Sequence, residues 1–419
     1  MSPDGYWPSP WPGEDGGPLR LQTSSARPSL GMTGLDASLT IREAVATTMV
    51  VLRDPGEVFA LRHTAGPDAV SWVERIDPVT LEPLARSVEL AGGPTWPGGI
   101  AAHANGSLYV VFGNHAHRLD ASLNVVASKT LPRDKPYNSF VILPDGSLVT
   151  KNFGGVLPFQ AADTAAEVDT ELVVLDPENL EIIADCVLPE ASIARLSSDG
   201  DQVYVIGTSS LWRCNWDGAK FALDESLSSV YRSVPGQTYG WDPVIALGAV
   251  WFLDNGFGSE RYIGTFRGQG VNTAPLHLVR VDLATAECTL TEICGLPNGV
   301  VANPPLIDVA RRIAVGFDSG NGVLAAFDIG DDGSTVLRWR KEQNHACHMM
   351  LFAENGELFT TDHDADRMAD EIVILDIETG RELLRTKSAS PVQSVLFPAV
   401  GWDNDLYYCS FAGIARLGA

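Results

Sequence analysis

The sequence predicts an all-β protein, an eight-bladed β-propeller whose blades are four-stranded antiparallel sheets. Three observations lead to this prediction. Four short strand patterns follow one another within residues 345–388, a tight-turn motif recurs about every 50 residues, and no long stretch carries apolar residues at helical spacing. The spacing also allows seven blades as an alternative count.

Residues 345–388 have the pattern of one complete blade. The apolar run at 349–352 is followed by Asn355-Gly356, a pair that favours tight hairpin turns because both residues tolerate a positive φ. The rest of the unit consists of a strand at 357–361, a polar loop at 362–370, and strands at 372–375 and 382–386. Four short antiparallel strands in about 44 residues are typical of a propeller blade.

The turn between the first and second strands of this unit recurs along the whole chain. These turns fall at Pro55-Gly56, Asn105-Gly106, Asp145-Gly146, Asp199-Gly200, Leu247-Gly248, Ala310-Arg311, Asn355-Gly356 and Asp403-Asn404. Several third strands also end at an aspartate, as at Asp77, Asp120, Asp176, Asp282, Asp328 and Asp376. Eight first turns predict eight blades.

The last repeat, from Ser394, has strand patterns at 395–400, 406–411 and 414–417 and lacks a fourth strand. An open edge would expose a row of unpaired backbone groups, so we expect residues 37–46 to close the ring as the outer strand of the last blade. Residues 37–419 are then a single propeller domain. Residues 1–36 form a Pro/Gly-rich N-terminal tail, and its three aromatic residues favour packing of part of it on the propeller.

Composition excludes some partners and predicts a compartment. The formal charge of −24 and the pI near 4.6 argue against nucleic acid and anionic membranes as partners. The sequence contains no run of about 18 apolar residues, so it predicts no bilayer-spanning helix. Six scattered cysteines without a CxxC motif, and a start without the features of a secretory signal, predict free thiols and a cytoplasmic location.

Polar side chains concentrate on one face of the predicted propeller. Loops between blades and loops after second strands share a face, and five of the eight histidines fall in these loops. We therefore predict a site at the mouth of the central channel on this face. The residues predicted to bind a small-molecule substrate there are Trp96, Tyr137, Asn138, Lys151, Trp241 and Asn298.

Histidine and carboxylate groups are the predicted catalytic residues. His345 and His348 belong to one blade and can approach each other, so we predict them as the working pair. His363 or Asp362 would orient them, and Asp242 would be the acid across the channel. Acid–base work and metal ligation both require neutral imidazole, so activity should fall as the pH drops through the histidine range, near a pKa of about 6.5.

A divalent metal ion is a possible cofactor. His345 and His348 can converge from a loop, and His115 and His117 share one face of a strand, so either pair could chelate a metal. Solvated or hydrogen-bonded histidines are the alternative, since the chain has no recognised metal-site spacing. The carboxylates of residues 362–366 could instead hold Ca²⁺, although the run lacks the Gly and the distal Glu of an EF-hand loop.

Two long insertions follow second strands on the polar face, at 154–170 and 257–275. Loops of this length in a compact domain are commonly functional. In the second insertion, the residues that suit a lid over an anionic or aromatic ligand are Arg261, Tyr262, Phe266 and Arg267. Loop packing without a functional role is the alternative.

The repeats resemble those of quinoprotein (PQQ-like) propellers. The resemblance rests on Leu375-Asp-Ile-Glu-Thr-Gly380, on Leu383-Leu384-Arg385, and on Ser390-Pro391-Val392 leading into the next first strand. It implies an eight-bladed ring. Leu384 stands where the family usually has Trp, and no adjacent Cys-Cys pair is present to cover a quinone, so no PQQ is expected.

A second resemblance is to the gluconolactonase and SMP-30 group. Tyr137-Asn138 before Pro144-Asp145-Gly146, and Pro297-Asn298-Gly299 before a strand, look like that group's metal-binding asparagine motifs. That group has six blades with the two asparagines in adjacent blades. Here the two asparagines fall in blades three and six, nearly across the ring.

These observations favour an enzyme that acts on a small molecule, a hydrolase of the lactonase type or a lyase. Its site would use His, Asp and Asn groups of the inter-blade loops as acid–base groups or metal ligands. A non-catalytic propeller that binds a ligand or a protein is one alternative, and a metal-dependent oxidoreductase is another. The fold alone does not decide between these functions, because propellers host many of them. Clustered histidines and carboxylates, rather than an exposed apolar rim, favour the enzyme.

Overall fold

The described part of the chain forms a ring of eight antiparallel sheets, as the sequence predicts. The structure is a computed structural model, and it describes residues 3–24, 38–155 and 169–418. Each sheet is one blade, and each blade contributes four strands in a continuous order from its first strand outward.

Blades 1 to 4 follow one another along the chain. Blade 1 consists of Thr47–Leu52, Val58–His63, Ala69–Ile76 and Pro83–Arg86, with Leu90–Gly93 added beside its third strand. Blade 2 consists of Gly99–Ala102, Leu108–Phe112, His115–Leu119 and Val125–Thr130. Blade 3 consists of Tyr137–Ile142, Leu148–Asn152, Glu171–Leu175 and Ile182–Val187. Blade 4 consists of Leu196–Asp199, Gln202–Ile206, Ser210–Trp216 and Phe221–Val230.

Blades 5 to 8 complete the ring. Blade 5 consists of Val244–Ala246, Ala249–Leu253, His277–Asp282 and Cys288–Glu292. Blade 6 consists of Leu306–Asp308, Ile313–Asp318, Val323–Ile329 and Thr335–Glu342. Blade 7 consists of Met350–Phe352, Glu357–Asp364, Ala369–Asp376 and Glu382–Ser390, with the short strand Thr23–Ser24 parallel to its first strand. Blade 8 consists of Ala399–Val400, Leu406–Cys409, Gly413–Gly418 and Ser38–Glu43.

Burial decreases from the first strand of a blade to the last. Every residue of Thr47–Leu52 and of Tyr137–Ile142 is buried, because both faces of an inner strand pack against neighbouring blades. The outer strand Ile182–Val187 alternates between half-buried and exposed residues. Long apolar runs therefore mark inner strands, and alternating patterns mark outer strands.

The blade 7 loop is shorter than the sequence predicts. Residues 362–364 and 369–370 continue the second and third strands, and the register pairs Asp362 with Glu371. Backbone pairing prevailed over side-chain polarity because the carboxylates have a cationic partner: Arg385 lies 3.0 Å from Asp362 and 2.7 Å from Glu371. In the preceding hairpin, only Gly356 of the Asn355-Gly356 pair has a positive φ, of 70°.

The ring is closed by the N-terminal strand, as the sequence predicts. Ser38–Glu43 runs antiparallel to Gly413–Gly418, with Leu39 opposite Leu417 and Ile41 opposite Ala415. This pairing supplies blade 8 with its fourth strand from the opposite end of the chain. Two ends that are far apart in sequence are thus held in one sheet.

Residues 3–24, which we call the channel segment, occupy the central channel. Their backbone hydrogen bonds reach first strands of several blades: Leu52 N–H to Trp11 O, Ala102 N–H to Pro12 O, Ser198 N–H to Pro18 O, Ile245 N–H to Leu19 O and Leu351 N–H to Gln22 O. These partners lie near the ends of the first strands, so the segment fills the end of the channel that carries the hairpin turns. Tyr6 and Trp11 are buried in it, and residues 25–36 of the predicted tail lie outside the described residues.

Two short 3-10 helices, Glu14–Gly16 and Ser259–Arg261, are the helical elements of the described residues. Within those residues, no helix is long and apolar enough to cross a membrane. All six cysteines are unpaired.

Candidate functional site

The channel segment carries a buried cluster of charges. Arg20 Nη2 lies 2.7 Å from Glu14 Oε2, and Arg20 Nη1 lies 2.9 Å from Asp15 Oδ2. Arg20 also donates to Ser139 Oγ at 2.7 Å and to Leu196 O at 3.0 Å, so its guanidinium is satisfied on several sides. All three charged side chains are buried, which makes their mutual pairing essential to their position.

Arg195 joins this cluster to the propeller wall. Its Nη1 lies 3.0 Å from Glu14 Oε2, and its backbone N–H donates to Asp242 Oδ1 at 2.7 Å. Its guanidinium also donates to the carbonyls of Pro97 at 2.7 Å and Gly98 at 3.4 Å, lies 3.9 Å from Asp242 Oδ2 through Nε, and covers the ring of Phe397 at 4.6 Å. A Cβ at Gly99 would lie 2.0 Å from Glu14 Oε1, so only glycine admits the carboxylate here.

Asp15 lies beside His348, which the sequence predicts as catalytic. Asp15 Oδ1 is 2.9 Å from His348 Nδ1, a close electrostatic contact that is not aligned as a linear hydrogen bond. Burial alone would raise the pKa of Asp15, but the electrostatic contact with His348 and the charge and hydrogen bond of Arg20 outweigh it and hold that pKa below its usual value. Asp15 is therefore an anion next to an imidazole, and the imidazole stacks on Phe397 at 3.8 Å between ring centroids.

A cavity of about 180 Å³ lies above this cluster, at the end of the channel that carries the inter-blade loops. Its walls come from inter-blade loops and from loops after second strands, as the topology predicts. The lining residues are His63, Thr95, Trp96, Pro97, Arg195, Trp241, Ser259, Glu260, Tyr262, Phe266, Ala302, Asn303, His348, Val395, Phe397 and Phe411. Aromatic rings dominate the walls, and the polar groups are few.

The predicted lid forms part of these walls. Tyr262 and Phe266, both from the 257–275 insertion, line the cavity. Gln393 holds this loop down, because its side chain accepts from the Phe266 N–H at 2.8 Å and its backbone oxygen accepts from the Tyr262 hydroxyl. Arg267 instead contacts Glu342 at 3.1 Å, away from the cavity. Most of the other insertion, 154–170, lies outside the described residues.

The predicted catalytic residues are only partly brought together. His348 lines the cavity. His345 is fully buried behind it, where its Nδ1 accepts from the Thr361 N–H at 3.0 Å and burial lowers its pKa to about 3. Asp242 is buried beside Arg195, and its Oδ2 has no hydrogen-bond partner among the described residues but lies 3.9 Å from Arg195 Nε. His363 is not a lining residue, and Asp362 pairs with Arg385 at 3.0 Å rather than with a histidine.

The predicted substrate-binding residues divide into two groups. Trp96 and Trp241 line the cavity, and their rings stack 6.3 Å apart and 12° from parallel. Tyr137, Asn138 and Lys151 are fully buried and do not line it. The sixth, Asn298, is exposed on the surface and far from Asn138 in the ring, so the two asparagines do not form one site.

The predicted metal ligands His115 and His117 lie in a separate groove on the side of blade 2. Both ring nitrogens of His117 are engaged, by Ser128 Oγ at 2.8 Å and Ala91 O at 2.7 Å. His115 contacts Gly92 O at 2.7 Å and Thr130 Oγ1 at 3.2 Å. Across residues 3–24, 38–155 and 169–418, no group of three His, Cys, Asp or Glu side chains is arranged to hold a metal ion. The divalent metal therefore stays a prediction.

Lys151 is a fully buried amine in blade 3. Its Nζ donates to Ser192 O at 3.2 Å, and burial lowers its pKa to about 7, with nearby Asp242 opposing the shift. Below pH 7 the folded protein must hold a buried ammonium ion. Above it, folding releases the proton that the unfolded chain keeps up to its ordinary pKa of 10.5.

We therefore expect Lys151→Met to be more stabilising at low pH than at high pH. Stability of the wild-type protein should rise between pH 7 and 10, so the advantage of the variant should shrink by about 1.4 kcal/mol per pH unit over that range. Denaturant unfolding at several pH values measures this. Lys220→Met, on an exposed turn, is the matched control and should show no such trend. A pH-independent difference for Lys151→Met would contradict the expectation.

Sequence reasoning missed several lining and supporting residues. Arg195 and Phe397 stand just before or at a first strand, the same place in the repeat that identified Trp96 and Trp241. That position was an available signal. Asp15 had no comparable signal, because its segment belongs to no blade.

Comparisons with known proteins support the fold. No family model and no curated protein sequence matches the chain. A quinohemoprotein alcohol dehydrogenase from Pseudomonas putida HK5 superimposes with a TM-score of 0.64 at 10% identity, over 98% of this chain and 80% of that one. BamB from Moraxella catarrhalis gives 0.57 at 11% identity, over 91% and 97%. A quinohemoprotein alcohol dehydrogenase from Comamonas testosteroni gives 0.64 at 10% identity, over 97% and 80%.

At these identities the likeness shows the fold alone. It confirms the resemblance to quinoprotein propellers that residues 375–392 indicate. The protein is an eight-bladed β-propeller with a charged channel segment beneath an aromatic cavity.

Proposed function

We propose that this protein is a small-molecule enzyme of the hydrolase or lyase type, with its site in the aromatic cavity and His348 as general base. One observation carries the proposal: His348 lines the cavity while its Nδ1 lies 2.9 Å from the buried carboxylate of Asp15. A carboxylate in this place favours the tautomer with a proton on Nδ1. The Nε2 lone pair is then available for a substrate proton.

His348 would act by removing a proton in the cavity. As Nε2 accepts the proton, the ring becomes an imidazolium ion, and the adjacent Asp15 anion stabilises that charge. Phe397, stacked against the imidazole, holds the ring plane and keeps water from that face. The proton taken could come from a water that attacks a lactone or ester, or from a carbon acid in an elimination.

We expect His348→Gln to lower kcat/KM by about 10²–10⁴-fold, since it removes the base and retains a polar side chain. A panel of lactones, esters and elimination substrates provides the assay. His115→Gln, in the side groove, is the matched control and should keep full activity. Full activity in His348→Gln would overturn the proposal. His345→Gln tests the other member of the predicted pair, and loss of activity there with an intact fold would restore it as a catalytic residue.

Asp15 is a positioning residue, and its substitution has its own signature. Asp15→Asn should lower kcat more than it raises KM, because binding of the substrate does not use the carboxylate. Asp15→Glu should recover part of the activity. A loss of stability with unchanged kcat in the remaining folded protein would indicate a purely structural role.

We further propose that no quinone takes part. A PQQ molecule carries three carboxylates and needs cationic partners, but the guanidinium of Arg195 is already occupied by Glu14 and two backbone carbonyls. The sequence also lacks an adjacent cysteine pair. Incubation with PQQ and Ca²⁺ followed by dialysis should therefore leave no quinone absorbance and induce no dye-linked alcohol oxidation. Stoichiometric retention of PQQ would contradict this.

A non-catalytic binding propeller is the second candidate, and the aromatic lining of the cavity favours it. Binding of a small ligand with high occupancy, without turnover of any member of the substrate panel, would support this candidate. Metal analysis of the purified protein, together with activity before and after chelation, tests the predicted divalent ion in the same preparation.

A further inference from the structure

Two histidines offer hydrogen-bond acceptors to the cavity. His63 lines the cavity, and its Nδ1 contacts Thr64 O at 2.7 Å. A carbonyl accepts, so Nδ1 carries the proton and Nε2 has a lone pair. That Nε2 is buried and has no hydrogen-bond partner among the described residues. His348 has the same arrangement, because Asp15 faces its Nδ1.

Several hydrogen-bond donors at the cavity are already used. Asn303 Nδ2 donates to Ala346 O at 2.5 Å and to Val395 O at 3.1 Å, which leaves its carbonyl oxygen as the available end. The Nη1 and Nη2 groups of Arg195 donate to Glu14 Oε2 and to the carbonyls of Pro97 and Gly98. The indole N–H of Trp241, which also lines the cavity, has no hydrogen-bond partner among the described residues. A ligand that brings only acceptors, such as a carboxylate, would satisfy that indole at most and would leave the acceptors of His63 and His348 unpaired.

The volume of the cavity and its aromatic walls limit the part of the ligand that carries the donor group. A dry apolar cavity of about 150 Å³ holds one benzene ring, and this cavity measures about 180 Å³. Trp96 and Trp241 present parallel rings, and Phe266 and Phe411 add further aromatic surface. Flat rings gain more from such walls than aliphatic chains of the same area.

We propose that the cavity binds a neutral, single-ring aromatic compound with a hydroxyl or amine N–H donor, which His63 and His348 accept. This rests on the proposed function insofar as it names the substrate class of the same site. Charge disfavours an anionic ligand: Arg195 is paired with Glu14, Asp15 is paired with Arg20, and the cavity wall carries the side chain of Glu260.

Four shape-matched probes test the ligand class by calorimetry on the full chain. Benzyl alcohol should bind best. Toluene lacks the donor, cyclohexylmethanol lacks the aromatic ring, and benzoate replaces the donor with an anion, so each should bind at least about tenfold more weakly. Equal or tighter binding of benzoate, or of cyclohexylmethanol, would overturn the proposal.

A cavity-filling variant locates the binding. Ala302→Phe places a ring in the cavity and should abolish benzyl alcohol binding, whereas Ala219→Phe, on an exposed turn, should not. His63→Phe should remove most of the preference for benzyl alcohol over toluene, even if Ala302→Phe folds poorly. Unchanged preference in His63→Phe would overturn the role of the acceptor pair.

These measurements separate the two proposals. Binding with the expected order but without turnover of any hydroxyl-bearing aromatic ester or lactone would leave the ligand class intact and count against the enzyme. Turnover of purely aliphatic substrates that depends on His348, without a preference for aromatic compounds in binding, would support the enzyme and count against the ligand class.

A second, independent inference concerns two cysteines of adjacent blades. Cys186 lies on the outer strand of blade 3 and Cys214 on the third strand of blade 4, and their sulfur atoms are 3.9 Å apart. Cys214 is buried, whereas Cys186 is half-buried and can meet a solute from outside. The S–H of Cys214, donated to Cys186, lowers the pKa of Cys186 to about 7.

We infer that hydrogen peroxide oxidises this pair to a disulfide that joins blades 3 and 4. The Cys186 sulfur attacks one peroxide oxygen, an S–O bond forms as the O–O bond breaks, and the departing hydroxide takes the Cys186 thiol proton and leaves as water. The Cys214 sulfur then attacks the sulfenic acid sulfur, the S–S bond forms as the S–O bond breaks, and the second hydroxide leaves as water with the Cys214 thiol proton. The sulfurs must approach from 3.9 Å to about 2.05 Å, so the disulfide requires the two side chains to rotate toward each other.

Peptide mapping without reduction, after treatment with hydrogen peroxide, tests this second inference. The wild-type protein should yield a cross-linked peptide containing both cysteines and a melting temperature higher by about 2–6 °C, both reversed by dithiothreitol. Cys186→Ser should show neither, and Cys288→Ser should behave as the wild-type protein. Oxidation of Cys186 to a sulfinic acid without the cross-link would overturn the inference.

Discussion

Deleting residues 1–46 should lower the melting temperature by more than about 10 °C or prevent folding altogether. The deletion removes the fourth strand of blade 8, Ser38–Glu43, and leaves Gly413–Gly418 with an unpaired edge. It also removes the channel segment, whose side chains, Trp11 and Arg20 among them, are buried against inner strands. Thermal unfolding followed by circular dichroism measures the effect.

A shorter deletion separates the two contributions. Removing residues 1–24 keeps the closing strand and takes away only the channel segment, so its melting temperature should lie between those of the wild-type protein and the longer deletion. An unchanged melting temperature for the 1–46 deletion would contradict ring closure by the N-terminal strand.

Replacing Arg20 with Ala should cost about 3–5 kcal/mol of unfolding free energy. The substitution leaves the carboxylates of Glu14 and Asp15 buried without the cation that lies 2.7 and 2.9 Å from them. It also removes a donor to Ser139 and to Leu196 O. Equilibrium denaturation in urea measures the loss.

A surface ion pair is the matched control for Arg20. Arg338 lies 2.7 Å from Asp328, and its side chain is 32% exposed, so Arg338→Ala should cost only about 0–1 kcal/mol. Arg20→Lys should give an intermediate loss, since it keeps the charge but not the forked geometry. A loss for Arg20→Ala no larger than that for Arg338→Ala would show that the buried cluster is not needed for stability.

Much of the fold was predictable because it is repetitive. Each hairpin turn and apolar inner strand gives the same local pattern, and eight copies confirm one another. The missing fourth strand in the last repeat also indicated ring closure, because a β-sheet edge needs a partner. Loop boundaries were less predictable: residues 362–364 look like a loop by polarity but are paired as a strand.

The site was only partly predictable, for a physical reason. Trp96, Trp241 and His348 line the cavity because inter-blade loops bring one place of every repeat to the channel mouth. The carboxylate beside His348 comes from Asp15, in a segment with no repeat and no regular pattern of its own. The position of Asp15 depends on contacts between charged side chains that form only once the ring is closed, and no local sequence pattern predicts such contacts.

The pairing of Ser38–Glu43 with Gly413–Gly418 has a consequence for biosynthesis. The Ser38 hydroxyl donates to Gly418 O, across 380 positions of the chain, so Ser38–Glu43 finds its partner only after the last blade has been made. The channel segment likewise needs first strands from blades 1, 2, 4, 5 and 7. Chains that contain only the early blades therefore hold neither a closed ring nor Asp15 beside His348, and function should arise in a late step, after all eight blades have been made.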